Sequence, residues 1–151
     1  MRVVLQRVSR ARVMVDSTVV GEIDHGFLLL VGVEDADGEA EVTVVAEKIA
    51  GLRVFADEHG RMNLSLSDVD GQALVVSQFT LYGDIRKGRR PSFTRAGDPA
   101  HARSIIDRFV EALNDRAVPT ATGRFGAHME LSLVNDGPVT LIVEARDGKV
   151  L

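Results

Sequence analysis

The run Phe27-Leu28-Leu29-Leu30-Val31-Gly32-Val33 passes at once into Glu34-Asp35-Ala36-Asp37-Gly38 and then into Val42, Val45, Ala46 and Ile49, and this junction decides how the chain is built. A short apolar, β-branched run reads as a buried strand. Asp35-Ala36-Asp37-Gly38 supplies helix-capping residues, and the four apolar residues after it recur on one face of a helix that stops at Gly51. A strand therefore hands over to a helix here, and the fold class turns on how often that happens along the chain.

Upstream there are only strands. Val3 to Leu5, Val13 with Val15, Val19 to Ile23 and Phe27 to Val33, with a turn at Asp16-Ser17, read as a β-meander. Downstream, Leu52 to Phe55 and Ala73 to Val76 are strand-like, separated by turn signals at Glu58-His59-Gly60 and Asp70-Gly71. Asp98-Pro99 then resembles an N-cap followed by proline at the first helical position. Behind it Ala102, Ile105, Ile106, Phe109, Val110 and Leu113 form the apolar stripe of a second helix. Met129 to Val134 and Val139 to Val143 close the chain as strands around Asn135-Asp136-Gly137-Pro138. Strands outnumber helices, and the helices interrupt the strand series at only two places. The expected fold is an α/β chain of the α+β type, a single domain in which a curled or barrel-like, antiparallel or mixed sheet packs with two main helices.

At 151 residues, with 45% hydrophobic residues and a mean hydropathy near zero, the chain is sized for one core. The absence of cysteine excludes disulfides, Cys-ligated zinc and thiol catalysis, and agrees with a reducing compartment. Charge interrupts Met1-Arg2-Val3-Val4-Leu5-Gln6-Arg7 before a signal-peptide core can form, and no stretch approaches a membrane span, so the expected location is the cytoplasm. A net charge of −4 argues against a protein that coats nucleic acid over its whole surface but permits one local basic site. Arg86, Lys87, Arg89, Arg90 and Arg95 form it, with Phe93 among them and no acid between. Such cations contact phosphates without reading sequence, and an aromatic face stacks on an unpaired base; a merely solvated loop has the same composition. His25, His59, His101 and His128 show no metal-ligand spacing, and neither a metal nor a cofactor is expected.

Chemistry concentrates in two hexapeptides. Ser77-Gln78-Phe79-Thr80-Leu81-Tyr82 ends an apolar strand and sets Ser77, Gln78 and Thr80 where an edge meets a loop, a common position for functional groups on a rigid scaffold. The same residues also suit a strand end bonded to its own neighbours. Ser77 lacks the Gly-x-Ser-x-Gly elbow, and no His or Asp stands at a spacing that identifies a triad. Asn135-Asp136-Gly137-Pro138-Val139-Thr140, taken alone, reads as a turn.

Together the two hexapeptides resemble the paired signature of the D-aminoacyl-tRNA deacylase family at all six positions of each. The resemblance continues through Met1 to Val8, the Arg90-Pro91-Ser92-Phe93 loop and Thr122 to Met129. It implies a homodimeric hydrolase that cuts the ester of D-aminoacyl-tRNA. Ser77, Gln78, Phe79 and Thr80 would form the catalytic segment, backbone N–H groups around Phe79 and Thr80 would polarise the carbonyl, and water would attack with help from a ribose hydroxyl. Thr80 as nucleophile is the less favoured route. Gly137-Pro138 would be a cis pair entering the partner subunit's pocket and rejecting L-residues by clash, a test that glycine, without a side chain, would pass, so that glycyl-tRNA mischarged on tRNA-Ala would also be cleared. Phe125 and Met129 would border the terminal adenosine, although composition also suits them to the core. Arg7 would brace the Gly-Pro turn, and Arg86, Lys87, Arg89, Arg90 and Phe93 would hold the tRNA acceptor end. Two other classes fit the residues: an RNA-binding module without catalysis, and a general small-ester hydrolase.

Overall fold

The computed structural model describes residues 1–151. In chain order it contains β1 (Arg2–Val15), β2 (Thr18–Ile23), β3 (Gly26–Gly32), α1 (Glu39–Gly51), β4 (Phe55–Ala56), β5 (Met62–Leu64), β6 (Gln72–Ser77), α2 (Pro99–Asn114), β7 (Thr120–Thr122), β8 (Glu130–Arg146) and β9 (Lys149–Val150). Two 3-10 turns, Ser67–Val69 and Phe79–Tyr82, flank β6. The main sheet runs β7-β6-β3-β1-β8-β9, with β2 also paired to β1, while β4 and β5 form a separate small hairpin. The pairs β3/β6 and β6/β7 are parallel, because α1 and α2 return the chain to the same end of the sheet; the remaining pairs are antiparallel. The sheet is mixed and the domain single, as the strand and helix pattern implies.

The opening is not a meander. β1 is one continuous strand whose first half pairs with β3 and whose second half pairs with β2, so β2 and β3 lie end to end along the same side of it. Arg7-Val8-Ser9-Arg10 hides this continuity in the sequence, because the strand bulges there. Register against β8 shifts between Gln6 and Val8 and again between Val8 and Arg10. Each irregularity can move side chains to the other face. Val3 and Leu5 therefore join the core beneath the helices, with Phe27, Leu29, Val42, Val45, Phe109 and Leu113, whereas Ala11 and Val13 join Leu28, Leu74 and Val76 in a second cluster. The sheet curls enough to bring β2 against β6 and β7. Gly21 is needed at that closure, since a Cβ there would lie 2.2 Å from the Thr122 carbonyl oxygen.

Both helices form where their periodicity places them, and each is capped from within the stretch that the sequence marks. The Asp98 carboxylate accepts from the Ala100 and His101 N–H groups at 3.0 and 3.3 Å, ahead of Pro99. At α1 the cap position is Gly38, whose N–H donates to Glu41 at 2.9 Å. Asp37 turns away to take the Met1 ammonium at 2.5 Å and the Glu34 N–H at 2.7 Å, a buried charge finding its counter-ion. Leu52 to Phe55 does not form a strand of its own; only Phe55–Ala56 pairs, with β5. No helix is long and apolar enough to cross a membrane.

The largest departure concerns Asn135 to Pro138. The chain does not reverse there: β8 runs through as one strand beside β1 from Glu130 to Arg146. Gln6 pairs with Thr140 and Val8 with Asn135, so Arg7 alone stands opposite Asp136, Gly137, Pro138 and Val139. The surplus residues swell out of the strand, and the Gly137-Pro138 peptide is cis.

Candidate active site

The first hexapeptide begins inside the sheet and ends outside it. Gln78 N–H still donates to Val31 O at 2.7 Å, continuing the β6/β3 ladder by one residue. The chain then winds into the Phe79–Tyr82 turn, where Leu81 N–H donates to Gln78 O at 3.2 Å and Gly83 N–H to Thr80 O at 2.9 Å. The N–H groups of Phe79 and Thr80 come before the first bond of this turn and have no acceptor within it. Gln78 donates its side-chain amide to the Thr80 hydroxyl. No histidine is hydrogen-bonded to a hydroxyl of the segment; His25 is bonded to Val69 O and His101 to Asp37 O. The segment therefore offers oriented donors and no nucleophile paired with a base.

Ser77, Gln78 and Phe79 open onto a cavity of about 590 Å³. Its walls are Val31 and Val33 from the end of β3, Ala102 and Ile106 from the first turns of α2, Phe93 from the basic loop, and Phe125. Asp35 and Asp98 stand at its rim. Phe79 and Phe93 meet edge to face, with centroids 5.0 Å apart and planes at 71°. Phe125 also borders an adjoining depression of about 310 Å³ that it shares with Ser77, Arg103 and Arg124. Periodicity assigns Ala102 and Ile106 only to the core stripe; the signal that they face a site is their nearness to the Asp98-Pro99 cap, which fixes where α2 starts. A depression of similar size, about 560 Å³, lies at the far end of β1 around Arg10, Arg12, Glu22 and Asp24 and holds no residue of either hexapeptide.

Met129 lies elsewhere. It packs against the second apolar cluster, near enough to Gly123 that a Cβ there would be 2.7 Å from its sulfur, and it does not line the cavity with Phe125.

The basic loop is clasped at its base, where Asp84 and Ser92 exchange backbone bonds of 2.7 and 2.9 Å. Arg86 folds back on Asp84, its guanidinium 2.6 and 2.9 Å from the carboxylate oxygens, and these bonds hold the Asp84 carboxyl well below its ordinary range. Arg95 is bound to Glu34 at 2.7 Å. Lys87, Arg89 and Arg90 have no carboxylate partner and are exposed at the tip. Of the cations grouped by sequence, these three are available to a ligand's phosphates.

The second hexapeptide is not part of this cavity. Asp136, Gly137 and Pro138 are exposed and line none of its walls. Asn135 pins the swelling by taking the Val139 N–H on its Oδ1 at 2.8 Å and donating through Nδ2 to Val139 O at 3.2 Å and Thr140 Oγ1 at 3.1 Å. This side chain stands in for a backbone pair, a role its turn chemistry hinted at. Arg7, largely buried, donates from Nε to Asp136 O at 2.8 Å and from its other end to Val54 O. Gly137 adopts φ +150, and a Cβ on it would lie 2.7 Å from Val139 N.

No cluster of three or more His, Asp or Glu side chains is placed to hold a metal ion.

The profile of the family described as D-Tyr-tRNA(Tyr) deacylase matches residues 4–144. Among curated proteins, the D-aminoacyl-tRNA deacylase of Heliobacterium modesticaldum is 56% identical over 99% of both chains. That of Thermomicrobium roseum is 57% identical over 97% of this chain and 96% of its own. Among solved structures, one named c-Myc DNA Unwinding Element Binding Protein superposes with a TM-score of 0.89 at 36% identity, covering 97% of this chain and 99% of its own.

Proposed function

The chain belongs to the D-aminoacyl-tRNA deacylase family, and from that premise we propose how it performs the hydrolysis of D-aminoacyl-tRNA. The ester carbonyl sits against the Phe79–Tyr82 turn, where the Phe79 and Thr80 N–H groups take the charge that develops on oxygen. The observation that carries this is a pair of successive N–H groups without acceptors in their turn, of which Phe79 lines the 590 Å³ cavity and Thr80 follows it just outside the wall, beside hydroxyls with no hydrogen-bonded base. A preorganised donor of this kind supplies about 10²–10³ in rate. An aminoacyl ester is already activated, so oriented water, assisted by a ribose hydroxyl of the tRNA, completes the reaction. Phe125 and the Phe79–Phe93 pair border the unpaired 3′ end, and Lys87, Arg89 and Arg90 meet phosphates.

Chiral choice is assigned to Gly137 and Pro138 of a second subunit. Their exposure and their absence from their own subunit's cavity support a role across a two-fold interface, where each swelling enters the other's site. Backbone atoms at that position sense the handedness of Cα without reading the side chain, so many D-residues are accepted, and glycine carried by tRNA-Ala is cleared with them. The reaction takes place in the cytoplasm, where the substrate forms.

Matched D- and L-tyrosyl-tRNA distinguish this enzyme from its alternatives. Release of D-tyrosine alone is expected. Binding without release would point to an RNA-binding module, and equal cleavage of free D-tyrosine ethyl ester to a general esterase. The specific rate should also fall on dilution in step with dimer dissociation, followed by sedimentation; an active monomer would remove the cross-subunit part.

A further inference from the structure

A four-residue 3-10 turn has poor hydrogen-bond geometry and little stability of its own, so whatever fixes its backbone must lie outside it. Beneath the turn, the floor is Gly32: a Cβ there would be 3.1 Å from Leu81 Cβ and 3.2 Å from both Gln78 O and the Tyr82 ring. Behind it, away from the substrate cavity, Arg2 donates from Nη1 to Leu81 O at 2.7 Å and from Nε to Glu144. The same guanidinium lies over the Tyr82 ring, 5.1 Å from its centroid, and Arg95, held by Glu34, lies over that ring at 5.5 Å. Tyr82 is the one buried residue of the turn. An exposed ion pair contributes little, but here one planar cation spans a carboxylate on β8, a carbonyl of the turn and the face of its anchoring ring.

We propose that Arg2 is a positioning residue for deacylation: held by Glu144 and stacked on Tyr82, it fixes the Leu81 carbonyl and with it the direction of the Phe79 and Thr80 N–H groups. Arg2 touches no wall of the substrate cavity and acts through the turn. The geometry needs a fork. Lysine supplies the charge but cannot meet Glu144 and Leu81 O in one plane while stacking on the ring. This inference rests on the reading that the turn supports the ester carbonyl, and the test separates the two.

The full-length protein, as wild type, Arg2→Met, Arg2→Lys, Tyr82→Leu and Tyr82→Phe, is assayed with D-tyrosyl-tRNA in single-turnover titrations of enzyme, and amide hydrogen exchange is followed at Leu81 and Gly83. In Arg2→Met and Tyr82→Leu the maximal rate is expected to fall about ten- to a hundred-fold while half-saturation moves less than about two-fold, the pattern of a misaligned site that still binds. Exchange at Leu81 and Gly83 rises in the same variants. Tyr82→Phe, which keeps the ring, restores the rate, and Arg2→Lys restores part of it. Unchanged exchange at both amides overturns the positioning role. Faster exchange with an unchanged maximal rate overturns the reading of the turn as the carbonyl's support. Should Arg2→Met fail to fold, Arg2→Lys and Tyr82→Leu make the same comparison.

Discussion

Ser77–Tyr82 and Asn135–Thr140 are of equal length and both leave the sheet, yet only the first opens onto the 590 Å³ cavity. Ser77–Tyr82 ends a strand in a turn that is seated on β3, anchored from behind and open in front to a cavity whose walls come from the same chain. Asn135–Thr140 is equally well held at its base, by Asn135 and Arg7, but its crown meets solvent. In the proposed dimer this crown, ordered at a cost in backbone entropy, is what the second subunit receives. Under the proposed mechanism the contrast separates two tasks: the first region would hydrolyse any aminoacyl ester, and the second would decide which ones arrive.

The most damaging way to sharpen that contrast is Gly137→Ala. The residue occupies φ +150, a region L side chains rarely adopt, and its new Cβ would meet Val139 N at 2.7 Å and Val139 Cγ2 at 2.8 Å. Strain of this kind costs about 1–3 kcal/mol and displaces the crown. The ratio of D- to L-tyrosyl-tRNA cleavage is expected to drop about a hundred-fold, since a displacement near 1 Å is enough for that. The cavity of Ser77 and Phe79 is untouched, so tRNA binding by filter assay should hold. An unchanged ratio in a folded variant would show that the second region is not the chiral sensor.

How far each region can be read from sequence differs for a physical reason. Ser77–Tyr82 follows the local rule that an apolar run ends where polar residues begin, and both helices follow their periodicity, with Asp98-Pro99 marking the start of α2. Asn135–Pro138 contains strong turn residues, yet the chain goes straight on. Local propensity proposes a reversal, but opposite Arg7 the surplus residues swell out of β8 and the ladder resumes at Thr140. Nothing within the hexapeptide records the partner's register. The same non-local term hides the continuity of β1, the separation of Met129 from Phe125, and the use of Asp37 as counter-ion of the Met1 ammonium.

A middling effect is expected from Arg89→Ala combined with Arg90→Ala. Both regions keep their geometry, because neither cation bonds to the rest of the chain through a carboxylate. Affinity for tRNA should fall about ten-fold at low salt, and the slope of log affinity against log salt should lessen by about 0.7 for each single-strand phosphate that is no longer neutralised. The D-to-L ratio should not move. A shifted ratio would mean that the loop helps to choose the residue, blurring the division between the two regions, and an unchanged slope would assign the loop another partner. Arg86→Ala makes a useful contrast: its charge is already spent on Asp84, so the slope should change less, although the loop loses part of its clasp.

The smallest effect is expected where an enzymologist would look first, at Thr80. Its hydroxyl is exposed and accepts from the Gln78 amide, but no histidine or carboxylate is hydrogen-bonded to it. If Thr80 were the nucleophile, Thr80→Ala would cost about 10⁶ in rate, the scale on which nucleophile deletions register in hydrolases. If the turn works through backbone N–H groups, alanine keeps both of them. The variant then forgoes one exposed side-chain hydrogen bond, of about 0.5–1.5 kcal/mol, equivalent to a loss of ten-fold or less. The two accounts differ by several orders of magnitude, so a single-turnover rate for Thr80→Ala on D-tyrosyl-tRNA decides between them. A near-complete loss in a folded, tRNA-binding variant would move the chemistry from backbone to side chain. A modest loss leaves Ser77–Tyr82 as a region whose catalytic groups belong to its conformation, which makes the anchoring of that conformation by residues outside it the part most exposed to mutation.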